Sequence, residues 1–161
     1  MAQDKFVTEI IKLAKKAAAA GEVPVGAIVV DSQGRIIGRG VNKTYASKDG
    51  LMHAEMIAIR QAEKHIDDWR LDDCELYVTL EPCLMCLGAI GNTRISTVHY
   101  ILADPQFGSL ASKLSPSQIS KLFPNLKAKK IQGEEEIQKL MSDFFKDLRA
   151  KAKRVRTGQL N

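Results

Sequence analysis

The chain has 161 residues, 45% of them hydrophobic and 27% charged, the balance of an ordinary globular domain long enough to bury its own core without disulfides. This composition excludes a disordered chain, and the apolar runs are too short and too broken by charge for a transmembrane helix, so no membrane partner is expected. The net charge of +5 is modest but uneven: "FFKDLRAKAKRVR", near the C-terminus, sets Lys146, Arg149, Lys151, Lys153, Arg154 and Arg156 against Asp147 alone. Such a run either attracts a polyanion, with nucleic acid the usual candidate, or simply solvates a helix end.

In chain order, Phe6, Ile10, Leu13 and Ala17 recur at helical spacing and Gly21 supplies a stop, which predicts an amphipathic helix over 4–20. The same stretch carries Asp4, Glu9 and several lysines and lacks the continuous apolar core of a signal peptide, so a cytoplasmic protein is expected. "VPVGAIVVD" reads as a strand, "SQGR" as a turn and "IIGRGVN" as the hairpin partner. A helix over 53–65, a strand "CELYVTL", a helix from about Cys83 to Ile90 and a strand "STVHYIL" follow. A Gly- and Ser-bearing loop, a helix, a strand "AKKIQ" and a long terminal helix complete the chain. Strands alternating with helices after a hairpin predict a three-layer α/β fold with a mixed sheet, and with no repeat or linker in view residues 1–161 are expected to form one domain.

The chemistry is concentrated in "LMHAEMIAIR" and "EPCLMCLGA". Cys83 and Cys86 form a Cys-x-x-Cys pair, a pattern shared by zinc sites and redox dithiols, and three cysteines in all do not make a disulfide framework. His53 adds a third ligand of a type that Zn²⁺ prefers, and three protein ligands with one open position is the catalytic rather than the structural arrangement. A closed site would need a fourth ligand. An extended strand carries Cys74 more than about 20 Å from Cys83, and His65 lies roughly 18 Å along the helix from His53, whereas His99 stays open as a candidate.

Glu55 follows His53 by two residues, and such neighbours do not face each other on a regular helix. At a helix tip they can surround one point, at the end that carries the positive dipole. Pro82 suits the start of the second helix, where its missing N–H costs nothing. A His-x-Glu followed by Pro-Cys-x-x-Cys is the signature of zinc-dependent nucleobase deaminases, in which the glutamate moves protons and is not a ligand.

On these residues the chain resembles the cytidine deaminase superfamily and, within it, the bacterial tRNA-specific adenosine deaminases. The likeness runs through "EVPVGAIVV", "GVNKT", "HAEMIAIRQA", "LYVTLEPCLMCLGAI" and "LMSDFFKDLR". The resemblance implies a three-layer α/β/α fold around a central five-stranded mixed sheet. It further implies one Zn²⁺ per chain on His53, Cys83 and Cys86, Glu55 as the proton shuttle, and substrate contacts at Asn42, Ala54 and Pro82. Its implied reaction is hydrolytic deamination of adenosine to inosine at the wobble position, in the anticodon loop of a tRNA, by a homodimer. Lys146, Arg149, Lys151, Lys153 and Arg154 would then contact the nucleic acid.

Two segments depart from the tRNA enzymes: Asp49-Gly50-Leu51-Met52 stands where those enzymes carry Asp-Pro-Thr-Ala, and the loop after "STVHYIL" reads "ADPQFGSLAS". Apolar Leu51 and Met52 could close a pocket over a free nucleobase or nucleoside, which is the second reading. A zinc-bearing binding module without turnover is the third.

Overall fold

The structure, a computed structural model, describes residues 2–158. Helix α1 (Ala2–Ala19) buries Phe6, Ile10, Ala14 and Ala17, the face that the helical spacing predicted. Strands β1 (Gly26–Val30) and β2 (Ile36–Val41) form the expected hairpin, followed by the short helix α2 (Thr44–Ser47) and by α3 (Ala54–Ile66). Strand β3 (Glu75–Leu80), helix α4 (Leu84–Asn92) and strand β4 (Thr97–Leu102) come next, then a π-helical turn (Ser109–Lys113), α5 (Pro116–Leu122), β5 (Lys127–Lys130) and α6 (Glu134–Arg156).

The five strands lie in the order β2-β1-β3-β4-β5, β1 pairing antiparallel with β2 and β3 while β3, β4 and β5 run parallel. Because successive side chains on a strand point to opposite faces, the sheet supports two cores. Ala27, Val29, Leu76, Val78 and Val98 pack with residues of α3 and α4. Ile28, Val30, Tyr77 and Ile101 pack with α1 and with Ile137 of α6. This is the three-layer α/β/α arrangement around a mixed five-stranded sheet.

Element ends differ from the sequence expectation by a residue or a few, β3 and β4 each starting one residue later than expected, and two short elements were not expected. Strand β1 begins at Gly26 rather than Val23, after Pro24, which has no N–H to give a ladder. Strand β5 starts at Lys127, one residue earlier than expected, where its N–H reaches the Ser96 carbonyl; all four of its residues are exposed. Helix α2 and the π-helical turn are too short for any periodicity to announce them. Helices α3 and α4 begin one residue later than predicted, with His53 and Cys83 as their N-cap residues in extended conformation.

The packing that places the site is the contact between β2 and α3. Gly38 and Gly40 turn bare backbone toward the helix, and a Cβ built on either would run into the carbonyl oxygens of Ala58 and Ala54 respectively. Opposite them the helix presents Ala54, Ala58 and Ala62, all fully buried. Small residues on both sides therefore let α3 sit against the sheet at backbone distance. Gly40→Ala is expected to overpack this contact and lower stability by about 1–3 kcal/mol, read as a fall in the urea midpoint without a change in slope.

Candidate metal and substrate site

The N-termini of α3 and α4 meet, the second just beyond the end of the central strand β3. His53 caps α3 and Cys83 caps α4, neither using its side chain to satisfy its own helix. The side chains turn to one another instead: His53 Nδ1 lies 3.7 Å from Cys83 Sγ and 3.6 Å from Cys86 Sγ. All three ligand atoms fall within 4.8 Å of one another. The N–S edges of a zinc tetrahedron built with ordinary Zn–N and Zn–S bonds are about 3.6 Å, so both distances from His53 match, and the donor set fits zinc in its chemistry. The one-residue shift of the helix start also lets His53 and Glu55 share a site: His53 is extended, so the helical rule that separates residues two apart does not govern the pair.

No fourth ligand joins them among the described residues. His99 points into the other core, where its Nε2 bonds Glu75 Oε2 at 2.7 Å and its ring stacks on Tyr77 at 4.1 Å. Cys74 is buried, and desolvation first, then nearby aspartates, push its thiol up to about 11, which suits an inert packing residue. His65 sits exposed in the last turn of α3.

The charges at the site are strongly coupled. Glu55 is 4% exposed, and burial raises its carboxyl to about 7 against the opposing pull of its own backbone N–H and of His53. The Cys83 thiol is pushed down to about 4, chiefly by the hydrogen bond with Cys86, with burial opposing and His53 assisting. Cys86 is pushed up by the same hydrogen bond, then by burial, while His53 is raised by its bond to Cys83. One thiolate, one thiol and an imidazole thus share protons that a bound cation would displace.

His53 and Cys83 line a cleft of about 970 Å³, together with Asn42, Tyr45, Glu55 and Phe107. Asn42 Oδ1 accepts the Ala54 backbone N–H at 2.8 Å, which ties the end of β2 to the first turn of α3. Ala54 and Pro82 do not line the cleft. Ala54 is fully buried, and the Pro82 carbonyl accepts both the N–H and the hydroxyl of Ser109. Helix α6 lines one side through Met141, Ser142, Phe145 and Arg149. Of the five basic residues singled out on α6, Arg149 reaches the cleft; Lys146, Lys151, Lys153 and Arg154 are exposed on the same helix outside its lining. Leu51 is 52% exposed, and neither it nor Met52 lines the cleft.

Two buried carboxylates escaped the sequence reading. Glu22, 2% exposed, accepts the backbone N–H groups of Tyr45 and Ala46 at 3.1 and 2.8 Å and so holds the α2 wall of the cleft. Glu81, equally buried, accepts four hydrogen bonds from residues 104–112. Burial alone would raise the Glu81 carboxyl, yet the bonds from Ser112, Ala111 and Asp104 hold it below its ordinary value. The one available signal was the placing of Glu81 between a strand end and Pro82-Cys83.

Comparison with known proteins agrees with this geometry. The cytidine and deoxycytidylate deaminase zinc-binding region matches residues 1–102. The tRNA-specific adenosine deaminase of Bacillus subtilis is 40% identical over 159 residues, covering 97% of each chain. A structure from work on A-to-I editing by tRNA:A34 deaminases at the wobble position of transfer RNA superposes with a TM-score of 0.69. It is 34% identical and covers 78% of this chain and 98% of that one. A guanine deaminase structure from Bacillus subtilis gives a TM-score of 0.59 and 42% identity over 62% of this chain and 64% of that one. With its three-ligand group, its buried glutamate and these relatives, the chain belongs to the cytidine and deoxycytidylate deaminase family.

Proposed function

We propose that the chain is a zinc-dependent hydrolase that deaminates adenosine to inosine at the wobble position of a tRNA, residues 1–161 acting as one deaminase domain. The observation that carries this reading is the placing of a buried carboxylate and an open three-ligand group in a cleft walled by the basic helix α6. The near full-length likeness to proteins named tRNA-specific adenosine deaminases supports it. A homodimer in the cytoplasm belongs to the same reading; no helix among the described residues is long and apolar enough to cross a membrane.

His53 Nδ1, Cys83 Sγ and Cys86 Sγ would hold one zinc ion, which when bound supplies a Lewis acid that makes water nucleophilic near neutral pH. Glu55 takes the proton from the attacking water and passes it to a ring nitrogen as C6 is attacked. It then protonates the departing amine, so that adenosine and water leave as inosine and ammonia. Burial raises its carboxyl, the direction that suits a group which both takes and gives a proton. Asn42 has its Oδ1 committed to Ala54, which leaves the amide N–H₂ for the base. Ala54 and Pro82 act through their backbone, fixing Asn42 and Ser109. Arg149 meets the RNA at the cleft, and Lys146, Lys151, Lys153 and Arg154 continue the contact to phosphates along α6.

The likeness to guanine deaminase favours a second reading, a free nucleobase or nucleoside as substrate. Leu51 and Met52 do not help it, since they do not close the cleft. A binding module without turnover leaves buried Glu55 without a task. Ammonia release by zinc-loaded protein, given an adenosine-containing anticodon stem-loop, guanine, adenosine and cytosine side by side, separates these readings. Release from the stem-loop is expected; release from a free base or nucleoside with the RNA untouched would establish the second.

Glu55→Ala is expected to keep its zinc and lose turnover by about 10²–10⁴-fold or more, measured by metal analysis beside ammonia release; a variant within about tenfold of wild type would remove Glu55 from the role. Cys83→Ala is expected to lose stoichiometric zinc, and full retention of metal would redraw the ligand set. Replacing Lys151, Lys153 and Arg154 together by Ala is expected to lower the slope of log affinity against log salt by up to about 2, measured by stem-loop binding across a salt series.

A further inference from the structure

The segment between β4 and α5 forms one wall of the cleft, with Pro105, Gln106 and Phe107 at its tip. Phe107 is 63% exposed. Both stems of this loop converge on a single carboxylate. Glu81 Oε2 accepts the Asp104 backbone N–H at 2.9 Å and the Ser112 hydroxyl at 2.5 Å. Its Oε1 accepts the N–H groups of Ala111 and Ser112 at 2.7 and 2.9 Å. These donors replace the water that so buried a carboxylate gives up. Gly108 rides directly on the group, where a Cβ would run into the Glu81 carboxyl.

The same loop is fastened to the metal-ligand turn. Gly108 forms a β-bridge with Cys83, and Ser109 donates its N–H and hydroxyl to the Pro82 carbonyl at 2.9 and 2.7 Å. Asp104 closes the tip, its Oδ1 accepting the N–H groups of Gln106 and Phe107 at 3.0 and 3.2 Å. The wall and the ligand strand are thereby one unit with Glu81 at its centre.

We propose that Glu81 is a positioning residue: its carboxylate locks the 104–112 wall to the Cys83 turn and so sets how tightly the cleft binds the RNA around the reacting adenosine. The proposal rests on the deaminase reading above. A wall ordered before the substrate arrives leaves less conformational freedom to be lost on binding, and freeing one stem moves that loss onto the binding step. The Gly108 bridge to Cys83 and the Ser109 bonds to Pro82 are links that do not use the Glu81 side chain, whose four bonds go to Asp104, Ala111 and Ser112, so its loss falls on KM rather than on the chemical step.

Glu81→Gln keeps the shape and an oxygen for Ala111 and Ser112, but it presents an amide donor to the Asp104 N–H. Gly108→Ala strikes the same contact from the loop side. In the zinc-loaded protein both are expected to hold full zinc and a kcat within about threefold of wild type, to raise KM for the stem-loop about tenfold, and to speed hydrogen exchange at 104–112. The double variant should be little worse than the worse single one, because both undo one contact. Unchanged KM and exchange in both single variants overturn the proposal, and so does a loss of kcat with KM unchanged, the mark of a merely structural role. Should Glu81→Gln fail to fold, Gly108→Ala and Ser112→Ala carry the same comparison. Wild-type protein inactive on the stem-loop would sink the tRNA reading instead; KM is then read on whichever of guanine, adenosine or cytosine is turned over, and exchange at 104–112 still judges the lock.

Discussion

The seating of α3 on β2 comes first in the physical order of this protein. A sheet and a helix ordinarily stand apart by the thickness of two side chains, but at Gly38 and Gly40 there is no side chain on one side, and on the other there are only the methyl groups of Ala54, Ala58 and Ala62. The helix therefore descends onto the backbone, and its first turn is pinned there by the Asn42 amide. His53 and Glu55 occupy that turn. Their position relative to Cys83 and Cys86 is set through β2, β1 and β3, the neighbouring strands against which α3 is seated and from which α4 departs.

The same stack explains how a glutamate comes to be buried beside two sulfurs. Burial raises its carboxyl against ionisation, and its backbone N–H and the nearby His53 only partly offset this. In a protein built for stability alone, an alanine or leucine would serve better at that position. On the proposed reading the cost is sustained because Glu55 has to hold and release a proton, and two well-packed cores elsewhere in the sheet offset it.

The fold and the meeting of His53, Cys83 and Cys86 were legible because both are written in residue type: apolar spacing gave the helices, and His-x-Glu with Cys-x-x-Cys pointed to a group that could hold a metal. The starts of α3 and α4 were misplaced by one residue, since a cap and a first helical residue look alike to a periodicity argument. That single residue decides that His53 faces the sulfurs. Glu22 and Glu81 stayed hidden for a deeper reason. Their partners are backbone N–H groups, in residues 45–46 and 104–112, and a backbone donor is the same whichever side chain it carries. The reach of Arg149 into the cleft was likewise invisible, because the charge run on α6 has no marked face until the helix is docked.

The sheet has two outer strands, β2 and β5. Strand β5 consists of Lys127, Ala128, Lys129 and Lys130, all exposed, and it ends the parallel half of the sheet. An open edge offers unpaired backbone to any passing strand, and short length with lysines along it is how such an edge is kept from being extended by a neighbour. Two copies of this sheet would bring like charges face to face along that edge. Short length and lysines thus guard this edge of the sheet against extension by a further strand.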